Sequence, residues 1–445
     1  MLKKKTMKNN IRIILILLMF PLLSQAQYNY SLDELVRISL EQNYQLQIVR
    51  NRQQMAENQN TAGNAGMLPQ INLGAQRTWQ ILDTETNFFT GESRSGSNAL
   101  NTSLNAFIEM DWTVFDGFSM YARRDRLGYL AQLGELDTKF WIEQTVADIA
   151  FAWYQLIREK QLLESFRQSL EISAFRLNLE DQKRRFGTGN ALLYHQALID
   201  FNADSSLVSN QYMRIRDLQI RINRIANFDP TTPTSPTSDE IDLNGLSDSD
   251  IILEKSIENN RDLERSRLEE MLAEASLRAE RGSRYPQLSV FGGYSLNRQT
   301  SELGFVESSR NYGGDFGIRI RFNLYDGGRQ NTRVRNALLE QESATFGIQD
   351  TRALLHSEIT RLVQTYENYM QQYRLLLQSK ESAATTLEIA EKQLETGAIS
   401  GFDFRQTQLA ALQVENQIIN LKYYMKAIEI DISRLTGGLP DRILQ

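Results

Sequence analysis

Seven prolines punctuate the chain, at positions 21, 69, 230, 233, 236, 286 and 440, and none falls between 69 and 230 or between 286 and 440. Proline breaks helix interiors, so both stretches are free to form very long helices. Within each, apolar residues recur at spacings of 3 and 4. Leu355, Ile359, Leu362, Tyr366, Tyr369, Tyr373 and Leu376 form one stripe, continued by Ala383, Leu387, Ala390 and Leu394 after a lapse at Lys380. Ile149, Ala152, Leu156, Leu163, Phe166, Leu170 and Leu177 form another, with lapses at Glu159 and Ser173. This is the a/d pattern of a coiled coil. It predicts long helices over 117–186 and 328–396. The first would be ~105 Å long at ~1.5 Å per residue, longer than a single globular core, and so part of an extended helical assembly. Return helices over about 191–227 and 402–436 follow the turns 186–190 and 395–401.

The two stretches are copies. Ser39-Leu40-Glu41-Gln42-Asn43 matches Ser256-Ile257-Glu258-Asn259-Asn260 at an offset of 217, and so does Pro69-Gln70-Ile71 with Pro286-Gln287-Leu288. Val114-Phe115-Asp116-Gly117 matches Leu324-Tyr325-Asp326-Gly327 at 210, and Gly187 with Gly397 keeps that offset. The change of seven places a loop of variable length between 70 and 114. A first repeat over 27–229, a Pro/Thr/Ser linker over 230–247, a second repeat over 248–438 and a tail over 439–445 are expected.

Each repeat opens with a helical segment, near 31–66 and 248–284, with Ser31 and Glu34 spaced as a capping box. Proline ends it and strands begin, at about 69–80 and 103–116, then 286–298 and 314–326. Ala106, Ile108, Met110, Trp112 and Val114 point one way, and Phe107, Glu109, Asp111 and Thr113 the other. Ile318, Ile320, Phe322 and Leu324 likewise oppose Gly317, Arg319, Arg321 and Asn323. An apolar face backed by a charged one suits a barrel wall between lipid and water. A soluble amphipathic hairpin covered by a helix has the same pattern. The polar segments 81–102 and 299–312 are expected as loops.

Lys3, Lys4, Lys5, Lys8 and Arg12 precede an apolar run ending at Leu23, and Ser24-Gln25-Ala26 suits a signal peptidase. Residues 1–26 are expected to be a secretory signal peptide. Its removal takes away five basic residues and leaves 44 basic against 55 acidic, a net charge of −11 in place of −6. Acidity of that size argues against nucleic acid as a partner. The chain has no cysteine, which excludes thiolate chemistry and cysteine-metal sites and, with them, a lipid anchor on cysteine. His195 and His356 alone leave little for a zinc site or a histidine-based triad. No phosphate loop and no nucleophile with a base is evident, so no enzyme, cofactor or metal is expected. Four strands per chain cannot close in lipid; two chains give too narrow a barrel, and three give twelve strands. A homotrimer is therefore expected, mainly α, with a shared twelve-stranded β-barrel continued by a tube of helices.

Trp112-Thr113-Val114-Phe115-Asp116-Gly117 and Phe322-Asn323-Leu324-Tyr325-Asp326-Gly327-Gly328, together with the two tip turns and the tandem repeat, resemble the TolC-like outer-membrane efflux (channel-tunnel) family over residues 31–438. The resemblance implies an outer-membrane barrel continued by an α-helical tunnel through the periplasm. It implies a passive duct for small molecules or polypeptides, energised by an inner-membrane pump of RND or ABC type through a periplasmic adaptor. Carried onto this chain, Phe186, Gly187, Thr188, Gly189 and Asn190 with Thr396, Gly397, Ala398, Ile399 and Ser400 would dock the adaptor. Asp116, Gly117, Asp326 and Gly327 would form the strand-to-helix junctions. Glu109, Asp111, Arg319 and Arg321 would face the barrel lumen, or pair with one another across strands. Asp403, with Gln406 beyond it, would mark the tunnel constriction as a ring of carboxylates, unless Asp403 is simply a solvated helix cap. The family's arginine in the second turn is Ile399 here, its second aspartate is Gln406, and the counterpart of Asp403 in the first repeat is Leu193. These departures argue against the usual salt-bridged latch. His195, near the first turn, is a surface histidine or a pH sensor. Two other readings remain open: a trimeric surface stalk or adhesin, and a coiled-coil scaffold of the periplasm.

Overall fold

The duplication in the sequence recurs as a duplicated order of elements. The computed structural model describes residues 28–302 and 306–444; the expected signal peptide, residues 1–26, lies outside them. Strand β1 (Tyr28–Tyr30) leads into helices α1 (Leu32–Gln42) and α2 (Tyr44–Gln59), strands β2 (Gln70–Asn87) and β3 (Ser93–Phe115), and helices α3 (Ser119–Arg185) and α4 (Ala191–Ala226). After β4 (Thr234–Pro236) the order repeats: α5 (Ser249–Asn259), α6 (Arg261–Gly282), β5 (Gln287–Ser301), β6 (Ser308–Arg321), α7 (Arg329–Thr396), α8 (Gly401–Leu435), and a last short helix α9 (Leu439–Leu444). No helix among the described residues is long and apolar enough to cross a membrane.

The chain forms two units. The first comprises residues 28–48, 139–261 and 353–444. Its core is the a/d stripe of α3, with Ile149, Ala152, Leu156 and Ile157 packed against Leu35, Val36, Leu218 and Ile222. A second cluster joins Leu355, Ile359, Leu362 and Tyr366 of α7 to Met425, Ile428 and Ile432 of α8. The second unit comprises residues 49–138, 262–302 and 306–352. It holds an antiparallel sheet of order β2-β3-β5-β6.

Four expectations are corrected. The segments 31–66 and 248–284 are each two helices, broken at Asn43 and Asn260, whose backbones are extended. The Asn43 amide donates to the Ile225 carbonyl at 2.9 Å and the Asn260 amide to the Leu435 carbonyl at 3.3 Å. Each break is thus held by the carbonyl at the end of its own repeat's return helix, and the duplication extends to single hydrogen bonds. The segment 81–102 is not a loop: β2 runs to Asn87, β3 starts at Ser93, and only a short turn with Gly91 at φ +86° joins them. Ladder bonds are made by the backbone and tolerate polar side chains wherever water wets both faces. In the same way 299–312 gives residues to both β5 and β6. Finally, the strand expected over 314–326 begins earlier and ends at Arg321, because its partner strand starts at Gln287, opposite Arg321. Phe322, Leu324 and Tyr325 have no ladder to join and are exposed.

The Pro/Thr/Ser segment is extended, as its composition suggests, but it is strapped down. Strand β4 pairs in parallel with β1. Thr234 and Ser235 are buried. Asn223 donates to the Thr232 carbonyl at 2.8 Å, and Gln219 to the Thr234 carbonyl at 2.8 Å. Further along, Glu429 accepts the backbone N–H groups of Asn244 and Gly245, both at 3.0 Å.

Candidate functional site

The sheet has two chemically opposite faces. Register places Ile71, Met110, Gly292 and Phe316 in one row, and Leu73, Ile108, Tyr294 and Gly314 in the next. Leu73 is 84% exposed and Phe316 91%, while Ile108 and Tyr294 are about half exposed. The opposite face carries Asp111, Phe291 and Gly317 in one row, Glu109, Gly293 and Asp315 in another. There Arg319 lies 3.3 Å from Asp111, with its guanidinium 4.7 Å from the Phe291 ring centre. Both partners are about half exposed, so the pair is worth no more than ~1 kcal/mol. Glu109 and Arg321 share the face but form no ion pair among the described residues.

The strand-to-helix junctions are built twice on one plan. Asp116 accepts the Met120 N–H at 3.0 Å and a bond from Arg123 at 2.7 Å. Asp326 accepts the Gln330 N–H at 2.9 Å, with Arg333 at 3.9 Å. A carboxylate at a helix start satisfies donors that have no intrahelical partner. The chain reverses hand at each junction, with Gly117 at φ +68° and Gly327 at φ +71°. At Gly117 glycine is required twice over, since a Cβ there would meet the Gly282 carbonyl oxygen at 2.1 Å.

In the first unit, α3 and α7 end in the same turn. Gly187 donates to the Arg184 carbonyl and Thr188 to the Lys183 carbonyl; Gly397 donates to Leu394 and Ala398 to Gln393. Both are Schellman caps, with Gly187 at φ +77° and Gly397 at φ +76°. Gly189 is needed for space, because a Cβ would meet the Arg184 nitrogen at 2.5 Å. Asn190 then caps α4 and Ser400 caps α8. Phe186 is 82% exposed at the first turn, whereas Ile399 packs against Ala390, Leu394 and Phe404. His195 is exposed, its ring edge-on to Tyr194 at 5.3 Å. Asp403 is exposed and takes part in its own helix cap: its N–H donates to the Ser400 hydroxyl at 3.1 Å, and that hydroxyl donates to its carboxylate at 2.7 Å. Gln406 is also exposed.

The lapses in the heptad stripe proved to be polar layers that sequence reasoning passed over. Glu159 and Ser173 are buried, as are Asp204 and Gln211 on α4. Gln211 donates to the Glu159 carbonyl at 2.9 Å. Ser173 donates to Asp204, and Arg405 of α8 closes on the same carboxylate. Gln408 adds bonds to the Ser169 carbonyl at 2.8 Å and the Ser173 hydroxyl at 3.1 Å. Burial opposes the Arg405 charge, but the bonds and charge of Asp204, with Asp200 beside it, outweigh burial and hold the guanidinium above its ordinary value. A signal was present: Ala197, Asp204, Gln211 and Leu218 are spaced by seven, and all four are buried. The Lys380 lapse is met by Glu415 of α8 at 2.8 Å.

Comparison with known proteins agrees with this architecture. The chain is 23% identical over 437 residues to Outer membrane protein TolC of Vibrio cholerae, covering 94% of this chain and 93% of that one. It is 20% identical over 415 residues to the cation efflux system protein CusC of Escherichia coli O157:H7, covering 91% and 85%. A crystal structure of a membrane protein from Pseudomonas aeruginosa superposes with a TM-score of 0.77 at 18% identity, over 93% of this chain and 92% of that one, and shares its fold. The Outer membrane efflux protein family model matches twice, at residues 35–219 and 252–438, once per repeat. The chain belongs to the outer membrane efflux protein family, a TolC-like family of channels.

Proposed function

We propose that the chain is one third of a passive exit duct. Three copies close their four-stranded sheets into a twelve-stranded barrel in the outer membrane, and the paired long helices continue it as a tunnel through the periplasm. The observation that carries this reading is the two-faced sheet, apolar and uncovered on one side and charged on the other. An apolar face of that extent is costly in water and at home in lipid. In lipid the open edges of β2 and β6 would each leave unpaired backbone groups at several kcal/mol apiece, which favours closure with further copies.

Within this duct Glu109, Asp111, Arg319 and Arg321 line the lumen. The two Schellman turns, with Phe186 projecting from the first, dock a periplasmic adaptor that couples the duct to an inner-membrane pump of RND or ABC type. The cargo is small molecules or polypeptides delivered by that pump. At the constriction three copies of Asp403 form a ring that attracts cations, since the carboxylate is exposed next to the turn.

Conductance in planar lipid bilayers tests the reading. The purified protein should insert and conduct, and Asp403→Ala should lower its preference for cations. Protein that never conducts, and that leaves the membrane fraction with carbonate, would instead be a periplasmic coiled-coil scaffold.

A further inference from the structure

One row of the sheet breaks the apolar face with charge. Arg77 of β2 lies opposite Leu104 of β3, which lies opposite Arg298 of β5, which lies opposite Arg310 of β6. All four share the face of Leu73, Ile108, Tyr294 and Phe316, and all three arginines are exposed. The row before it is still uncharged, with Ala75, Ala106, Leu296 and Tyr312. The arginines thus stand just past five successive uncharged rows, on the side toward the hairpin turns, and the next row beyond them holds Trp79, Thr102, Thr300 and Ser308. From the row of Leu288 and Ile320 to that of Leu296 and Tyr312 are four steps of two residues, ~27 Å along a strand. At a barrel tilt of ~40° this is about 20 Å of height, close to the apolar band of an outer-membrane barrel.

Two of the three arginines lie over aromatic rings. The Arg77 guanidinium lies 4.9 Å from the Trp79 ring centre and that of Arg310 lies 5.6 Å from the Tyr312 ring centre. Stacking leaves the N–H edges free to point outward. None of the three has an ion pair among the described residues. The first acid after Arg298 is Glu302, just past the end of β5, and it accepts the Leu100 N–H at 3.0 Å. Arg298 and Arg310 sit on adjacent strands, ~4.8 Å apart, and Arg77 lies two strands from Arg298, ~10 Å away.

We propose that this row binds the phosphate groups of a phosphorylated glycolipid of the outer leaflet, of the lipid A class, whose acyl chains lie on the apolar rows beneath. The inference rests on the placement of the sheet in an outer membrane. Guanidinium forks match phosphate oxygens two bonds at a time. A pair of arginines with a third ~10 Å away offers two separate places for phosphate groups.

The test uses the full chain in detergent, titrated with bis-phosphorylated lipid A, with the same lipid stripped of its phosphates, and with inorganic phosphate, bound lipid being counted by native mass spectrometry. The phosphorylated lipid should bind at least tenfold more tightly than the stripped one, and Arg77→Gln/Arg298→Gln/Arg310→Gln should abolish the difference. Equal binding of both lipids, or full binding by a folded triple variant, overturns the inference. So does competition by inorganic phosphate at equal concentration, which would make the row a simple anion site. If the triple variant does not assemble, the comparison of lipids on the unaltered protein decides alone. A protein that inserts and conducts in bilayers but ignores the phosphates keeps the duct reading and loses this one; a protein that never inserts loses the duct reading.

Discussion

Arg405 of α8 closes on Asp204 of α4 through two parallel hydrogen bonds, Nη1 to Oδ2 at 2.7 Å and Nη2 to Oδ1 at 2.8 Å. The Asp204 side chain is 1% exposed and that of Arg405 11%. The pair joins a helix of the first repeat to one of the second. Removing one partner leaves a buried charge with no counterpart, so Asp204→Leu or Arg405→Met alone should cost ~3–5 kcal/mol. Replacing both, as Asp204→Leu with Arg405→Met, should cost less than either single change. Thermal melts of the four proteins in detergent check this; strictly additive losses would show that the two groups are not coupled. The second repeat has Val414 where the first has Asp204, so an apolar residue already serves at that place.

Gly117 and Gly327 occupy the same place in the two repeats and should not be equally replaceable. Both have positive φ, which costs an alanine ~1 kcal/mol. At Gly327 nothing stands within 4 Å of a new Cβ, whereas at Gly117 it meets the Gly282 oxygen at 2.1 Å and the Tyr285 Cβ at 2.8 Å. Gly327→Ala should therefore fold with a slightly lowered melting temperature, and Gly117→Ala should lose ~3 kcal/mol or more through forced backbone movement. Comparable losses at both sites would contradict the close crossing.

Alkaline stability should depend on Tyr366. Its hydroxyl donates to Glu429 at 3.1 Å, and burial, reinforced by the Glu429 charge, pushes its phenol up to about 12. The folded state thus prefers the neutral phenol. That contribution is full below the unfolded value of ~10, is lost as pH rises through about 12, and is worth up to ~3 kcal/mol. Tyr366→Phe should flatten the fall in melting temperature between pH 10 and 12, at a cost of ~1 kcal/mol at neutral pH for the lost bond. An unchanged alkaline limb would remove Tyr366 from the account.

The tip turns should be separable from the fold. Phe186 and Ala398 are exposed, so Phe186→Ala and Ala398→Glu should move stability by less than ~0.5 kcal/mol. Both should nevertheless reduce recovery of a crosslinked adaptor at least tenfold and abolish efflux in cells lacking the native duct. Wild-type crosslinking by both variants would place docking elsewhere.

The parts legible in the sequence were those governed by periodicity. The stripe through Leu355, Ile359, Leu362 and Tyr366 is the core of α7, and the alternation from Ala106 to Trp112 is the face assignment of β3. What was not legible depends on partners far along the chain. Asn43 breaks its helix by bonding to a carbonyl 182 residues away, and nothing local to Asn43 announces that. Residues 81–102 lost their alternation because both faces are polar, and a ladder of backbone bonds leaves no mark in side-chain pattern. In the first unit, polarity at a heptad position reads as a lapse until Asp204 and Arg405 are seen to fill one space.

The hairpin of β2 and β3 outgrows its neighbour. Its last tie to β5 is Asn101 opposite Ser301, yet its own pairing continues to Asn87 opposite Ser93. Among the described residues, the two strands beyond Leu82 pair only with each other. Two-stranded ribbons are weak on their own, and here that weakness is harmless. The ribbon's length can be edited in register steps without disturbing the pairing of β3 with β5, so an epitope grafted at Phe89 and Gly91 would leave the rest of the ladder intact.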